Sequence, residues 1–249
     1  MTMAELAIIG GTGLTSLKNL QIERREVMHT PYGEPSGALT YGRLRDREVV
    51  FLARHGYGHT IPPHMVNYRA NLWALRNKGI SRVLAVCSVG GIRKDIEPGS
   101  IIVPDQIIDY TWSREHTLFE RDLSRVVHID FTEPYCREMR EILLDAAARA
   151  GVEAINSGTY GANQGPRLET AAEINRMERD GCDMVGMTGM PEAALARELE
   201  LCYAACAVCA NHAAGRGTGP ISMADIKTNL EQGMAKVRKV VEEAITAAG

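Results

Sequence analysis

No run of about 18 apolar residues occurs in this 249-residue chain, so the sequence offers no segment long enough for a membrane-spanning helix. The first residues, Met1 to Glu5, lead straight into an apolar stretch that begins at Leu6. They leave no room for the basic region and apolar core of a signal peptide. We therefore expect a cytoplasmic protein with no membrane partner.

An excess of one charge is also missing, since the formal net charge is −3 and no block of like charges occurs. This balance excludes the basic surface that nucleic-acid binding requires, so we expect no nucleic-acid partner. Low-complexity segments and internal repeats are absent too. The chain is long enough to bury a substantial core, and we predict one domain over residues 1–249 that needs neither disulfides nor a metal for stability.

Cysteine pairs of the zinc-binding kind are missing as well. Cys206 and Cys209 have the Cys-x-x-Cys spacing, but no second such pair and no suitably spaced His completes a zinc site. The surrounding run, residues 201–210, is apolar and is typical of a buried strand. We therefore interpret both cysteines as small buried side chains in a reducing compartment.

Two periodicities are present. Apolar runs rich in β-branched residues predict strands, and apolar residues at spacings of three and four predict helices. The predicted strands are 6–9, 48–53, 83–88, 100–103, 107–110, 184–187 and 202–209. The predicted helices are 66–78, 137–150, 168–180, 191–199 and 225–248. This alternation predicts an α/β domain with a central mixed, largely parallel sheet flanked by helices. Segments 113–127 and 213–222 are predicted to be mobile loops.

Glycines and polar side chains cluster where several predicted strands end. In an open α/β sheet the ligand lies at the carboxyl edge of the strands, so these segments predict one binding site. Each alone has a simpler interpretation, such as a surface turn or, for Glu169, a cap of the next helix. The segments are Gly10–Leu14, Arg54–His59, Ser88–Gly91, Gly161–Thr170, Gly186–Glu192 and Asn211–Ala213.

Three other kinds of site compete with this interpretation. The turn after the first strand resembles a dinucleotide-binding loop, but Ser16 occupies the third glycine position. Residues 86–90 resemble a nucleophile elbow, but Val86 replaces its first glycine. A zinc site on His55, His59 and His64 would need a helix that Pro62 and Pro63 interrupt.

Several longer segments, in order along the whole chain, resemble trimeric purine nucleoside phosphorylases of the methylthioadenosine phosphorylase branch. They are Gly10–Leu14, Thr30–Ser36, Ala53–Gly56, His59–Pro63, Asn67–Asn71, Gly165–Arg167 and Met187–Glu192. The resemblance implies inorganic phosphate as co-substrate and no cofactor or metal. It implies phosphate binding by Thr12, Arg54, His55, Ser88 and Thr188, with Arg54 supplying a planar fork of donors.

The resemblance also implies the nucleoside contacts. Met187 would lie against the ribose, Met223 and Ile226 would face the 5′ substituent, and Leu168 would belong to the substrate-binding set. His128 would reach into the site of a neighbouring subunit, so the implied active unit is a homotrimer.

The base-binding positions differ from those of adenine-specific relatives. Such relatives carry Asp where this chain has Asn211 and Ala213, and Ser where it has Glu169. The Asn211 amide can donate to O6 of a 6-oxopurine and accept from a protonated N7, and Glu169 can accept from N1–H. Adenine presents the opposite donors and acceptors, and buried mispaired groups are strongly disfavoured. We therefore expect Asn211 and Glu169 to carry the catalytic base interactions.

Met223 and Ile226 offer a methylthio group apolar surface and offer a 5′-hydroxyl no polar partner. The expected reaction is phosphorolysis of 5′-methylthioinosine to hypoxanthine and 5-methylthioribose 1-phosphate. Phosphorolysis of methylthioadenosine or of inosine and guanosine stays open. From other classes, a nucleotide-binding oxidoreductase and a non-catalytic purine-binding protein also stay open.

Overall fold

The computed structural model describes residues 5–14, 17, 19–121 and 123–248. In that part of the chain the strands are β1 Leu6–Gly10, β2 Gln21–Glu26, β3 Leu39–Leu44, β4 Arg47–Ala53, β5 Arg82–Gly91, β6 Ile101–Val103, β7 Gln106–Asp109, β8 Ala154–Asn156, β9 Thr159–Ala162, β10 Met184–Gly186 and β11 Cys202–His212. The α-helices are α1 Tyr68–Asn77, α2 Arg137–Arg149, α3 Ala171–Arg179, α4 Gly189–Glu198 and α5 Met223–Ala247.

All these strands form one sheet with β5 at its centre. Strands β4, β1, β5 and β11 run parallel, and β10 lies antiparallel to the end of β5 while β9 and β7 continue beside it. Apolar clusters cover the sheet, and helix α5 packs its buried face against the one that contains Ile8 and Val208. The predicted α/β fold with a mixed, largely parallel sheet is confirmed.

The pairing register decides which segments meet. Gly10, the last residue of β1, lies beside Ala53, the last residue of β4. The turn after β1 and the segment that begins at Arg54 therefore leave the sheet at the same edge. Val185 of β10 lies opposite Gly90 of β5 in the antiparallel direction. That direction carries the chain beyond β10 back toward Ser88.

Four strands were not predicted from the sequence. Strand β2 lies at one edge and exposes nearly all of its side chains, so it lacks apolar alternation. Strands β8 and β9 are only three and four residues long. Strand β3 is interrupted in sequence by Gly42, where a side chain would collide with the Gln21 carbonyl oxygen at 2.5 Å. Tertiary pairing forms all four.

Helix α3 begins at Ala171, three residues later than predicted. Thr170 caps it, and Glu173 completes a capping box by accepting from the Thr170 backbone N–H at 2.7 Å. The simpler interpretation of Glu169 as the helix cap is therefore wrong, because Thr170 and Glu173 together form the cap. Helix α5 begins at Met223, two residues earlier than predicted, because the Ser222 side chain caps it.

Both segments predicted to be mobile loops are anchored at specific points. In segment 113–127, Arg114 is buried, and Glu198 accepts from the Thr117 hydroxyl at 2.6 Å and the Leu118 N–H at 2.7 Å. In segment 213–222, Ala213 is buried and its N–H donates to Gly91 at 2.8 Å. These polar anchors are long-range contacts that a local sequence pattern does not reveal.

A disulfide joins Cys136 to Cys202, 66 residues apart in the chain. The Cys136 N–H donates to the Tyr203 carbonyl at 2.8 Å, which places the start of α2 against the start of β11. The expectation that stability needs no disulfide stays a prediction, since the presence of this bond does not test it. Cys206 and Cys209 are buried free thiols, as predicted.

None of the helices in the described ranges is long and apolar enough to cross a membrane.

Candidate active site

A cavity of about 430 Å³ opens at the carboxyl edge of β1, β4 and β11, where the register brings the polar strand ends together. Most of the residues singled out from the sequence line it. They are Thr12, Arg54, His55, Ser88, Leu168, Glu169, Met187, Thr188, Asn211, Met223 and Ile226. The prediction that these strand ends form one site is therefore supported by their shared cavity, although their individual contacts with a ligand stay predictions.

Two predicted residues do not line this cavity. Ala213 is buried in a small apolar cluster with Ile92 and Val185, and it borders a neighbouring hollow that it shares with Asn211. His128 is exposed on the surface. A contact between His128 and a site would therefore have to involve another subunit.

A buried ion pair holds Arg54. Its Nε and Nη2 donate to the two carboxylate oxygens of Glu192, each at 2.7 Å, and its Nη1 donates to the Val86 carbonyl at 2.9 Å. Both side chains are almost completely buried, and the Tyr203 hydroxyl donates to Glu192 at 2.9 Å. The guanidinium donors expected to bind phosphate therefore bind the carboxylate of Glu192. One N–H on each Nη is left for other partners.

The charges of this pair balance each other. Burial disfavours the guanidinium, but the charge and hydrogen bonds of Glu192 outweigh that effect and raise the pKa of Arg54. A buried pair of this kind depends on both members, because removal of one leaves an uncompensated charge. Arg54 is therefore a fixed cation at the cavity wall.

His55 is held as a neutral imidazole. Its Nδ1 lies 2.8 Å from the Ile61 carbonyl oxygen, which can only accept, so Nδ1 carries the proton. Burial, and then the nearby Arg54 charge, lower the pKa of His55 to about 4. At neutral pH, Nε2 is therefore a hydrogen-bond acceptor.

Gly11 is required by close packing at this end of the cavity. A Cβ on Gly11 would lie 2.4 Å from the Val86 carbonyl oxygen and 2.9 Å from Nη1 of Arg54. The backbone of the first turn can therefore approach Arg54 only without a side chain. Gly91 is likewise required by packing within the protein, because a Cβ there would lie 2.2 Å from the Ile96 carbonyl oxygen.

The alternative sites from the sequence lose their structural basis. Ser88 lies inside the extended strand β5, opposite Val208, and not on the tight turn of a nucleophile elbow. The element described after the first glycine turn is strand β2, whereas a dinucleotide fingerprint opens a helix. In the described ranges, no three His, Cys, Asp or Glu side chains are grouped as a metal site would require.

Three of the four free cysteines in the described chain, Cys87, Cys206 and Cys209, have no thiolate character. Burial raises the pKa of Cys87, at the cavity wall, to about 12. Burial also raises the pKa of Cys206 to about 12 and that of Cys209 to about 11. Since the thiolate is the reactive form, none of the three is a nucleophile at neutral pH.

The other end of the cavity contains Glu169 and Asn211, both half-buried. Asn163 donates its side-chain N–H to Oε1 of Glu169 at 3.0 Å. The Asn211 side-chain N–H donates to the His212 carbonyl at 2.6 Å, which leaves its amide oxygen and a second N–H. This end therefore presents a carboxylate oxygen and an amide on half-exposed side chains.

Sequence reasoning missed two residues that hold the site. Asn163 and Glu192 lie in two of the predicted site segments, Gly161–Thr170 and Gly186–Glu192, but neither is among the predicted site residues. Glu192 carried no distinguishing signal, because acidic residues are common in the first turn of a helix, where they interact favourably with the helix dipole. No local signal pointed to Asn163, whose partner depends on the path of the loop.

The chain resembles known proteins over nearly its whole length. The model of the phosphorylase superfamily matches residues 5–246. A protein of Pseudomonas syringae pv. tomato described as a probable S-methyl-5′-thioinosine phosphorylase is 53% identical over 245 residues, which cover 98% of this chain and 100% of that one. The 6-oxopurine nucleoside phosphorylase of Pyrococcus furiosus is 44% identical, with 98% and 92% covered.

Among solved structures, the methylthioadenosine phosphorylase from Schistosoma mansoni in complex with adenine superposes with a TM-score of 0.94 at 32% identity. The superposition covers 99% of this chain and 92% of that one.

Proposed function

Since the chain belongs to the phosphorylase superfamily and is a nucleoside phosphorylase, a pentosyltransferase, we propose that its substrate is S-methyl-5′-thioinosine. Inorganic phosphate cleaves the glycosidic bond and yields hypoxanthine and 5-methylthioribose 1-phosphate, a reaction of purine salvage. One observation carries the proposal: Glu169 and Asn211 line the same cavity as the apolar residues Met223 and Ile226.

At the base end, Glu169 accepts from N1–H of hypoxanthine, and Asn211 donates to O6 and accepts from N7–H. The contacts at N1 and O6 become mismatches with adenine, whose N1 accepts and whose N6 amino group donates, while the contact at N7 is common to both bases. A site built to hydrogen-bond one pattern rejects the other by about 10⁴-fold or more when the groups are buried. Relatives named for methylthioinosine and for 6-oxopurine nucleosides support this assignment of the base.

At the phosphate end, Thr12, Ser88 and Thr188 offer hydroxyl donors around the fixed Arg54 cation. The free Nη protons of Arg54 bind phosphate oxygens, while Glu192 keeps the guanidinium in place. Neutral His55 accepts from the phosphate hydroxyl, because its Nδ1 proton is held by Ile61. Phosphate therefore binds as an anion that still carries one proton.

The chemistry proceeds through an oxocarbenium-like ribosyl group. As the C1′–N9 bond lengthens, positive charge develops on the ribosyl ring, and bound phosphate stabilises that charge and then attacks C1′. Negative charge gathers on the purine, where Asn211 and proton uptake at N7 stabilise it. Met187 packs against the ribose, and Leu168 completes the substrate-binding wall.

The active unit of this proposal is a homotrimer in the cytoplasm. His128, exposed on the single chain, reaches the site of a neighbouring subunit. The exposed side chains of Trp112, Leu123 and Val126 belong to the same stretch of chain as His128 and support an interface there.

The test is a comparison of kcat/KM for methylthioinosine, methylthioadenosine and inosine at saturating phosphate. We expect methylthioinosine to exceed methylthioadenosine by at least about 10³-fold, because the base contacts mismatch. Inosine should fall behind by about 10- to 200-fold, which is the discrimination an apolar pocket provides. A preference for methylthioadenosine would overturn the assignment of Asn211 and Glu169, and binding without turnover would indicate a purine-binding protein.

A further inference from the structure

Arg114 is a buried arginine with only neutral partners among the described residues. Its five N–H groups contact six acceptors, which are the Gln164 side chain, the Tyr68 hydroxyl and the backbone carbonyls of Asn163, Gln164, Met187 and Met190. The shortest of these hydrogen bonds, to the Met190 and Gln164 carbonyls, are 2.6 and 2.7 Å long. Because four of these acceptors are backbone carbonyls, the guanidinium fixes the backbone of residues 163–164 and 187–190.

Five of the six acceptors belong to two segments that both border the cavity. One segment, the loop of residues 163–169, leads from strand β9 to Glu169. The other, residues 187–190, contains Met187 and Thr188 and the first residues of α4. Arg114 itself does not line the cavity. From outside the cavity, Arg114 therefore holds the segment at the base end and the segment at the phosphate end in place relative to each other.

Asn163 connects Arg114 to the carboxylate of Glu169, the proposed base-binding group. Its N–H donates to the Gly186 carbonyl at 2.7 Å, and its own carbonyl accepts from Arg114 at 3.1 Å. With the backbone held on both sides, its side-chain amide donates to Oε1 of Glu169 at 3.0 Å. Oε2 of Glu169 has no hydrogen-bond partner in the part of the chain that is described.

We propose that Asn163, held by Arg114, is the positioning residue that sets the base selectivity of this enzyme. An amide N–H on one carboxylate oxygen of Glu169 fixes the orientation of the carboxyl group and leaves the other oxygen free as an acceptor. An acceptor at this position pairs with N1–H of a 6-oxopurine and not with the bare N1 of adenine. The inference rests on the proposed function and names a residue that controls it.

The first test is Asn163→Asp, which keeps the shape but replaces the donor by a carboxylate. Two carboxylates at hydrogen-bond distance share one proton, and the shared proton restores the lost donor at low pH. Other charged groups near the pair are Arg114 and Arg167, which is bound to Glu173, and they are unchanged in the variant.

We expect the kcat/KM of the Asn163→Asp variant for methylthioinosine to fall by about 10- to 100-fold at pH 8 and to recover toward the parent value near pH 5.5. A KM for phosphate within about twofold of the parent would place the effect on the nucleoside side. A loss of kcat/KM that is constant across this pH range would contradict the inference, because the effect of a purely structural defect does not depend on protonation of the carboxylate introduced at position 163.

The second test is Asn163→Ala, for which we expect a fall in the preference for methylthioinosine over methylthioadenosine at every pH. Asn175→Ala is the matched control, since Asn175 is exposed and its side chain accepts one hydrogen bond, from Arg216, among the described residues. Arg114→Lys keeps the charge but has fewer donors, and it should raise the KM for both nucleoside and phosphate because both segments lose their anchor. Unchanged selectivity in both Asn163 variants overturns the inference.

The two proposals fail in different ways. If the parent enzyme prefers methylthioadenosine, the proposed function is wrong, and so is the base assigned to Glu169. If the parent prefers methylthioinosine while both Asn163 variants keep its selectivity and pH profile within about twofold, the inference alone is wrong.

Discussion

The phosphate end of the cavity and its base end hold their charged groups by different means. At the phosphate end, Arg54 and Glu192 are a buried, two-point ion pair. At the base end, Glu169 and Asn211 are half-buried, and each makes a single side-chain hydrogen bond within the described chain. The first arrangement is part of the core and the second is attached to it. A buried ion pair is difficult to alter without loss of stability, so it is appropriate for chemistry that a whole family shares. Half-buried side chains can be replaced at lower cost, so they are appropriate for a base selectivity that differs between relatives.

The largest expected effect tests the buried pair. Replacement of Glu192 by Gln leaves the Arg54 guanidinium without a countercharge, so we expect the free energy of unfolding to fall by about 3–5 kcal/mol. Urea denaturation measures this directly. Glu200→Gln serves as the control, because Glu200 is 85% exposed and should change stability by less than about 0.5 kcal/mol. Equal stability of the two variants would show that the pair is not a structural unit.

The next effect tests the close packing around Arg54. Gly11→Ala places a Cβ 2.4 Å from the Val86 carbonyl oxygen, so backbone or guanidinium has to move. We expect a loss of about 1–3 kcal/mol in unfolding free energy and a higher KM for phosphate. Gly219→Ala is the control, since its Cβ would meet nothing within 4 Å. A phosphate KM equal to that of the control would disprove the coupling between Gly11 and Arg54.

A smaller effect tests the neutral state of His55. Its native pKa of about 4 lies below the value near 6.5 of an unfolded His. Between these values the unfolded state binds more protons, so stability falls as the pH falls from 6.5 toward 4. Between pH 7 and pH 5 the parent should lose about 1–2 kcal/mol more than the His55→Gln variant. Parallel pH–stability curves would mean that His55 titrates normally.

The smallest effect on stability is expected at the base end. Asn211→Asp removes one donor from a half-buried site, so the unfolding free energy should change by no more than about 1 kcal/mol. The preference for methylthioinosine over methylthioadenosine should nevertheless fall by about 10- to 100-fold, because a carboxylate accepts from the adenine amino group. Paired measurements of stability and of both kcat/KM values separate the two ends. If Asn211→Asp were as unstable as Glu192→Gln, the two ends of the cavity would not differ in how their polar groups are held.

Local sequence patterns determined the strand ends that form the site. The apolar runs around Ile8, Phe51 and Val86 predict buried strands, and glycines and polar residues follow at the points where those strands end or pass the edge. Parallel strands present their carboxyl ends at one edge, so the meeting of Thr12, Arg54 and Ser88 follows from the pattern alone. Asn211 and Glu169 are singled out as base-binding positions by the family resemblance, and their donors and acceptors then favour a 6-oxopurine.

Only the tertiary structure decided how these groups are held. Arg54 lies 138 residues from Glu192 in the chain, and Arg114 lies 50 residues from Gln164. Cys136 and Cys202 have no spacing that marks them as a pair. Such partners are chosen by the register of strands and the path of loops, in which each contact depends on the rest of the packing. A residue type specifies what chemistry a side chain can perform, while long-range packing specifies which partner it is given.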